Sequence, residues 1–193
     1  MKERKPMNAI RVRAILQPVA ALSAAALLAA LSGCGGTEEK REYAVPRTLC
    51  GIPVDSEALT PFLPGGRTLT TKQKLSDGWG VRCEVRVDSR LVAQTSLQWL
   101  ADAPNTTYYV GGQANSKLDH RAEGGRFLYS GWEGFGETRN CTSKKLLGAR
   151  LFTAFQMYSA DHQDAGAMKR LVTEYTNAAE KTDTCTSGKP FPE

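Results

Sequence analysis

The strongest constraint on this chain's fold lies between residues 79 and 99. Trp79, Val81, Cys83, Val85 and Val87 alternate with Gly80, Arg82, Glu84, Arg86 and Asp88. After the turn-forming Asp88-Ser89-Arg90, residues Leu91, Ala93, Thr95, Leu97 and Trp99 again occupy every second place. A period of two puts apolar side chains on one face of a strand and polar ones on the other. Two such runs joined by a tight turn pair antiparallel, with one face on a core and Cys83 on that face.

The flanking segments are read around that sheet. Asp55 is placed to cap a helix over Ser56–Leu63, which Pro64-Gly65-Gly66 stops. Arg67–Leu75 is Thr-rich and β-compatible, and Asp77-Gly78 is a hairpin signal. Asn105–Leu118 reads two ways, because Asn105 suits a helix cap while Gly111-Gly112 interrupts the segment. A strand is expected over Arg126–Ser130. A glycine-aromatic loop over Gly131–Gly136 and a short strand ending at Cys141 follow it. Leu146–Tyr158 is apolar on both faces, as a central strand would be. Asp164 caps a helix with Met168, Leu171, Val172, Tyr175, Ala178 and Ala179 on one side. This order predicts an α+β fold: a mostly antiparallel sheet packed with a short N-terminal helix and a C-terminal helix, as an α/β/α sandwich.

The N-terminus carries a different signal. Lys2, Arg4, Lys5, Arg11 and Arg13 precede an Ala/Leu-rich run from Ala14 to Leu31, which ends in Leu31-Ser32-Gly33-Cys34. That ending resembles the bacterial lipobox: small residues lead up to a thiol that accepts a diacylglyceryl group. Pro18 disfavours a spanning helix instead. The expectation is a signal peptide over 1–33, a lipid on Cys34, a flexible tether over 34–46, one domain over 47–185 and a frayed tail over 186–193. Two acyl chains anchor a protein stably, at about 0.8 kcal/mol per buried CH₂. The full chain has 25 Lys+Arg against 20 Asp+Glu, net +5. Residues 1–33 hold five basic residues and one acidic, so processing leaves the remainder near +1. The basic balance belongs to the leader and is no argument for a nucleic-acid partner.

Setting Cys34 aside leaves Cys50, Cys83, Cys141 and Cys185, with no CxxC pair among them. An even count in an exported domain favours two disulfides, with three possible connectivities. The local pairing, Cys50–Cys83 with Cys141–Cys185, is the expected one. It would pin the opening helix to the sheet and the closing helix to its edge.

Catalytic patterns are weak. His120 and His162 each follow an Asp, but adjacent residues point in different directions, so both are expected to be solvated loop histidines. Asp161, His162 and Asp164 are the alternative, as a weak divalent-cation site. Neither GxSxG nor HExxH occurs. Glu133 and Glu137 are expected to be surface charges, with a glycosidase-like carboxylate pair as the alternative. No catalytic residue, metal or cofactor is assigned. The candidate binding residues are Trp132, Phe135, Tyr108 and Tyr109. Exposed, they would form a contact patch for a protein, glycan or lipid; buried, they plug the core, and burial is the expected state of Trp132 and Phe135.

Cys50-Gly51, Leu63-Pro64-Gly65-Gly66, Cys83, Cys141 and Cys185, together with the leader, resemble the pattern of small secreted lipoproteins of actinobacteria. The likeness spans roughly residues 48–185 and rests on spacing. Some lipoproteins of that kind resemble the PsbP-like sandwich, and the resemblance implies no catalytic residues. The expectation is a non-enzymatic, membrane-tethered binding or accessory protein whose partner is an envelope protein or glycan. The alternatives are a cell-wall or glycan-directed hydrolase, or an inhibitor or immunity protein.

Overall fold

The computed structural model describes residues 40–76, 79–115, 117–143, 145–159 and 162–187. The expected signal peptide, Cys34, the Asp77-Gly78 turn, Asp161 and residues 188–193 lie outside them.

A two-residue hairpin, β1 (Thr48–Leu49) and β2 (Ile52–Pro53), opens the domain. Asp55 then caps α1 (Ser56–Leu59), accepting from the backbone N–H groups of Glu57 and Ala58 at 2.9 and 3.1 Å. The expected helix to Leu63 tightens into a 3₁₀ turn at Thr60–Phe62, because Pro61 supplies no N–H for the α pattern. The strands β3 (Leu69–Ser76), β4 (Gly80–Val87) and β5 (Arg90–Leu100) follow. Next come α2 (Thr106–Val110), capped by Asn105, and β6 (His120–Ala122), β7 (Phe127–Tyr129), β8 (Glu133–Glu137) and β9 (Arg150–Met157). Asp164 caps α3 (Ala165–Ala179), and α4 (Asp183–Ser187) closes the described chain.

Seven strands form one antiparallel sheet in the order β3-β4-β5-β9-β8-β7-β6. The α+β class is as the patterning implied, and β9 is central, between β5 and β8. Asp88 and Ser89, at φ 46° and 71°, make the tight β4–β5 turn. A register slip follows it: Val85 faces Ala93 while Arg86 faces Leu91. The unpaired Val92 is fully buried beside Ala93.

One face of the sheet carries the main core, with α1 and α3 packed on it. Val81, Cys83, Val85, Leu97, Leu151 and Phe155 meet Met168, Leu171 and Tyr175 there. Two hydrogen bonds fix the helix on the sheet: Thr95 with the Tyr175 hydroxyl at 2.9 Å, and Thr153 with Thr176 at 2.6 Å. The two disulfides are Cys50–Cys83 and Cys141–Cys185, the local pairing.

Three segments differ from expectation. Gly131–Gly136 is not a loop; Glu133–Glu137 is the strand β8. Gly134 and Gly136 face α3, where a Cβ would come within 2.9 Å of Val172 and 2.5 Å of Thr176. Glu133, Phe135 and Glu137 point to the other side. The period of two was present, but glycine carries no hydropathy signal to show it. No strand ends at Cys141, since 138–143 is irregular chain. The tether is also shorter than 34–46: Arg41 bridges to Gly66 and donates to the carbonyls of Thr60 and Leu63, while the Tyr43 hydroxyl donates to the Pro64 carbonyl. These carbonyls lie where the 3₁₀ turn ends; that of Thr60 also accepts the Leu63 N–H at 3.3 Å. At the other terminus, Thr186 and Ser187 complete α4 rather than fray.

Candidate functional site

The second face of the sheet is half covered. Over β7, β8 and β9 lies α2, with Tyr109, Phe135, Phe152, Ala154 and Ala103 in a small second core. The Tyr109 ring sits 5.8 Å from Phe135 and 5.1 Å from Phe152. Phe135 is therefore a core plug, as expected, and Tyr109 is one as well, so neither offers surface to a partner and both leave the set of candidate binding residues. Trp132 is half-buried against the main core. Tyr108 is exposed on α2, so the four aromatics do not form one patch.

Over β3, β4 and β5 this face is open. The register arranges it in rows. Lys72, Glu84, Gln94, Gln156 and Glu133 make one row across five strands. Lys74, Arg82, Ser96, Ala154 and Phe135 make the next. Ser76, Gly80, Gln98, Phe152 and Glu137 make the third. Each row runs from polar to covered, and the change falls where α2 and the chain after it end above β5.

At that step lies a cleft of about 220 Å³ lined by Ser76, Arg82, Gln94, Ser96, Gln98 and Gln113. Its floor is kept low by Gly80, where a Cβ would come within 2.4 Å of the Ser76 hydroxyl. Its wall is fixed by Glu133 and Gln156. The buried Glu133 carboxylate accepts from the Asn115 N–H at 3.0 Å and from Gln156 Nε2 at 3.2 Å, and Gln156 also donates to the Gln113 carbonyl at 3.1 Å. Beneath, the Ser96 hydroxyl meets that of Tyr109 at 3.2 Å. Burial pushes the Tyr109 phenol up to about 12, so it stays neutral.

The charges around the cleft are unevenly matched. Glu84 is held by Lys74 at 2.6 Å and by Arg86 at 3.0 Å, and the bond from Lys74 is the main reason its carboxyl lies below the usual range. Arg82, two places before Glu84 on β4 and opposite Lys74, has no ion pair or hydrogen bond among the described residues. The side chains of Ser76, Gln94, Gln98 and Gln113 have no hydrogen-bond partner among the described residues either. Tyr158, 45 % exposed, continues the Ala154–Gln156 face one place on, within electrostatic reach of Arg82. Its phenol is raised, mainly by partial burial.

The other candidates lie elsewhere. Glu133 and Glu137 stand at opposite ends of β8 with Phe135 between them. Four residues of strand separate their Cα atoms by about 13 Å, and Glu137 is ion-paired to Arg150 at 2.5 Å. His120 stacks on Tyr129 at 5.3 Å, and His162 meets the edge of Phe62 at 5.5 Å. Asp164 is occupied as the cap of α3. Among the described residues no three His, Cys, Asp or Glu side chains stand together as a metal site would need.

Comparison with protein-family models, with curated proteins and with solved structures found no match. Function has to be read from the geometry. Sequence reasoning missed Arg82, Gln94 and Gln98 as a site, although the alternation had placed Arg82 on the polar face. What marks them is the absence of partners, which appears only once the strands are in register.

Proposed function

We propose that this chain is a non-enzymatic binding protein of the bacterial envelope, lipid-anchored at Cys34, whose Arg82 cleft holds a small polar anion. The observation that carries this reading is the convergence of Arg82, Ser76, Gln94, Gln98 and Gln113 on one cleft with no hydrogen-bond partner for their side chains among the described residues. Exposed polar groups ordinarily satisfy themselves with water, but a cationic fork set among amides is a shape that a carboxylate or phosphate fits.

The two disulfides accord with an oxidising compartment. No helix among the described residues is long and apolar enough to cross a membrane; in this reading the lipid on Cys34 supplies the anchor. The chain enters the fold beside Gly66, near the Leu69 end of β3. The cleft lies toward the Ser76 end, about 20 Å further along the strand.

Titration with acetate and inorganic phosphate, followed by NMR of the Gln94, Gln98 and Gln113 side-chain amides, tests the site. At least one anion should shift these signals in the wild type and not in Arg82→Gln. Unmoved amides with both anions would remove the reading. For the anchor, Cys34→Ala should release the protein from membranes, and continued membrane retention would remove lipid as the tether.

A further inference from the structure

Building on that reading of the cleft, we infer that its ligand is a carboxylated sugar, bound as a single ring. Three observations narrow the chemistry. The first is size: about 220 Å³ lies below the roughly 300–1,000 Å³ of pockets for drug-sized ligands, so one ring or a short branch fills it. The second is the lining. Three glutamine amides and the Ser76 hydroxyl each offer a donor and an acceptor. Vicinal hydroxyls or an acetamido group demand that pairing, while a bare inorganic anion accepts only. Arg82 adds one cationic fork, suited to one carboxylate and not to a polyanion, since Lys74 and Arg86 are both engaged by Glu84.

The third observation lies beside the cleft. Tyr158, outside the lining residues, is a half-exposed aromatic on the same face, one place beyond Gln156 and within electrostatic reach of Arg82, and a sugar's C–H face packs on such a ring.

The test uses three probes on the full mature chain: N-acetylmuramic acid, N-acetylglucosamine as the same ring without the acid, and lactate as the acid without the ring. Dissociation constants come from the Gln94, Gln98 and Gln113 side-chain amide shifts. The sugar acid should bind at least tenfold more tightly than either fragment. Arg82→Gln should erase its advantage over N-acetylglucosamine, and Tyr158→Ala should weaken both sugars while leaving lactate unchanged. Gly80→Ala, which raises the floor, should weaken all three. Equal binding of N-acetylglucosamine would overturn the need for a carboxylate. Equal binding of lactate would overturn the ring. If none of the three shifts the amides while phosphate or acetate does, the sugar inference fails and the anion site stands. If nothing binds at all, both fall.

Discussion

Arg126 and Arg82 present the same guanidinium to opposite surroundings. Arg126 is almost enclosed, and its nitrogens are all engaged: Nε donates to the Glu137 carbonyl at 2.8 Å, one terminal nitrogen to Glu123 at 3.0 Å, and the other to Asn177 at 3.2 Å and Glu180 at 2.6 Å. Around it, Arg139 pairs with Glu123 and Arg150 with Glu137. The clefts there are larger, about 370 and 440 Å³, yet most of the charge lining them is matched internally. Arg82 lies in a smaller cleft and has no such partner among the described residues. The first region fastens the end of α3 to β8. The second leaves its hydrogen bonds to whatever enters. Pocket size alone would have chosen the wrong one, because a guanidinium already tied to carboxylates must lose those bonds before it can hold a ligand.

The difference should be largest in stability. Arg126→Ala leaves Glu180 without its buried partner and should cost about 3–5 kcal/mol in chemical denaturation. Arg82→Ala should stay within about 0.5 kcal/mol of wild type. Equal losses would erase the distinction between the two regions. Next, Cys141→Ser with Cys185→Ser removes the staple beside the Arg126 cluster and should cost about 2–4 kcal/mol. A double variant as stable as wild type would show that the salt bridges alone hold α3.

The glycines sharpen the comparison at smaller scale. Gly136→Ala drives a methyl into Thr176 and the Phe127 ring and should cost about 1–3 kcal/mol. Gly80→Ala meets chiefly the rotatable Ser76 hydroxyl, so it should fold normally with a shallower cleft. A Gly80→Ala loss as large as that of Gly136→Ala would mean the cleft floor is packed as tightly as the core.

The smallest effect is in pH dependence. Burial raises the Glu137 carboxyl despite Arg150 and Arg126. The folded state therefore binds that proton more tightly than the unfolded state. Its contribution to stability falls as pH rises from the usual carboxylate range through the raised value. Asp88 has the opposite sign: the N–H groups of Arg67 and Thr68 hold its carboxyl low, so its contribution is full above the usual range and is lost on acidification. Glu137→Gln should thus gain on wild type as pH rises, and Asp88→Asn should gain as pH falls. Denaturation curves across that range, with the same sign for both variants, would contradict these assignments.

The sheet was legible because β4 alternates throughout and β5 does so from Ala93 on, beyond the slip at Val92, and α3 because its cap and apolar side coincide. The disulfide pairing followed from cysteines placed on those elements. β8 was hidden because its inward face is glycine, and the docking of Arg41 because it depends on carbonyls at the end of a turn far along the chain. The aromatic residues were visible as candidates but not as neighbours; Tyr109 and Phe135 meet only when α2 folds over β8. Arg82 was visible as a polar-face residue like Glu84 and Arg86. What separates it from them is the ion pairing across β3 and β4, which sequence alone does not count.

The most direct test of this account measures anion binding and folding stability together in Arg82→Gln. The expected result is unchanged denaturation with the Gln94, Gln98 and Gln113 side-chain amides no longer responding to phosphate or acetate. A variant whose amides respond as wild type does would show that Arg82 does not hold the anion, and one that loses stability as Arg126→Ala should would place Arg82 in the scaffold; either result contradicts the account.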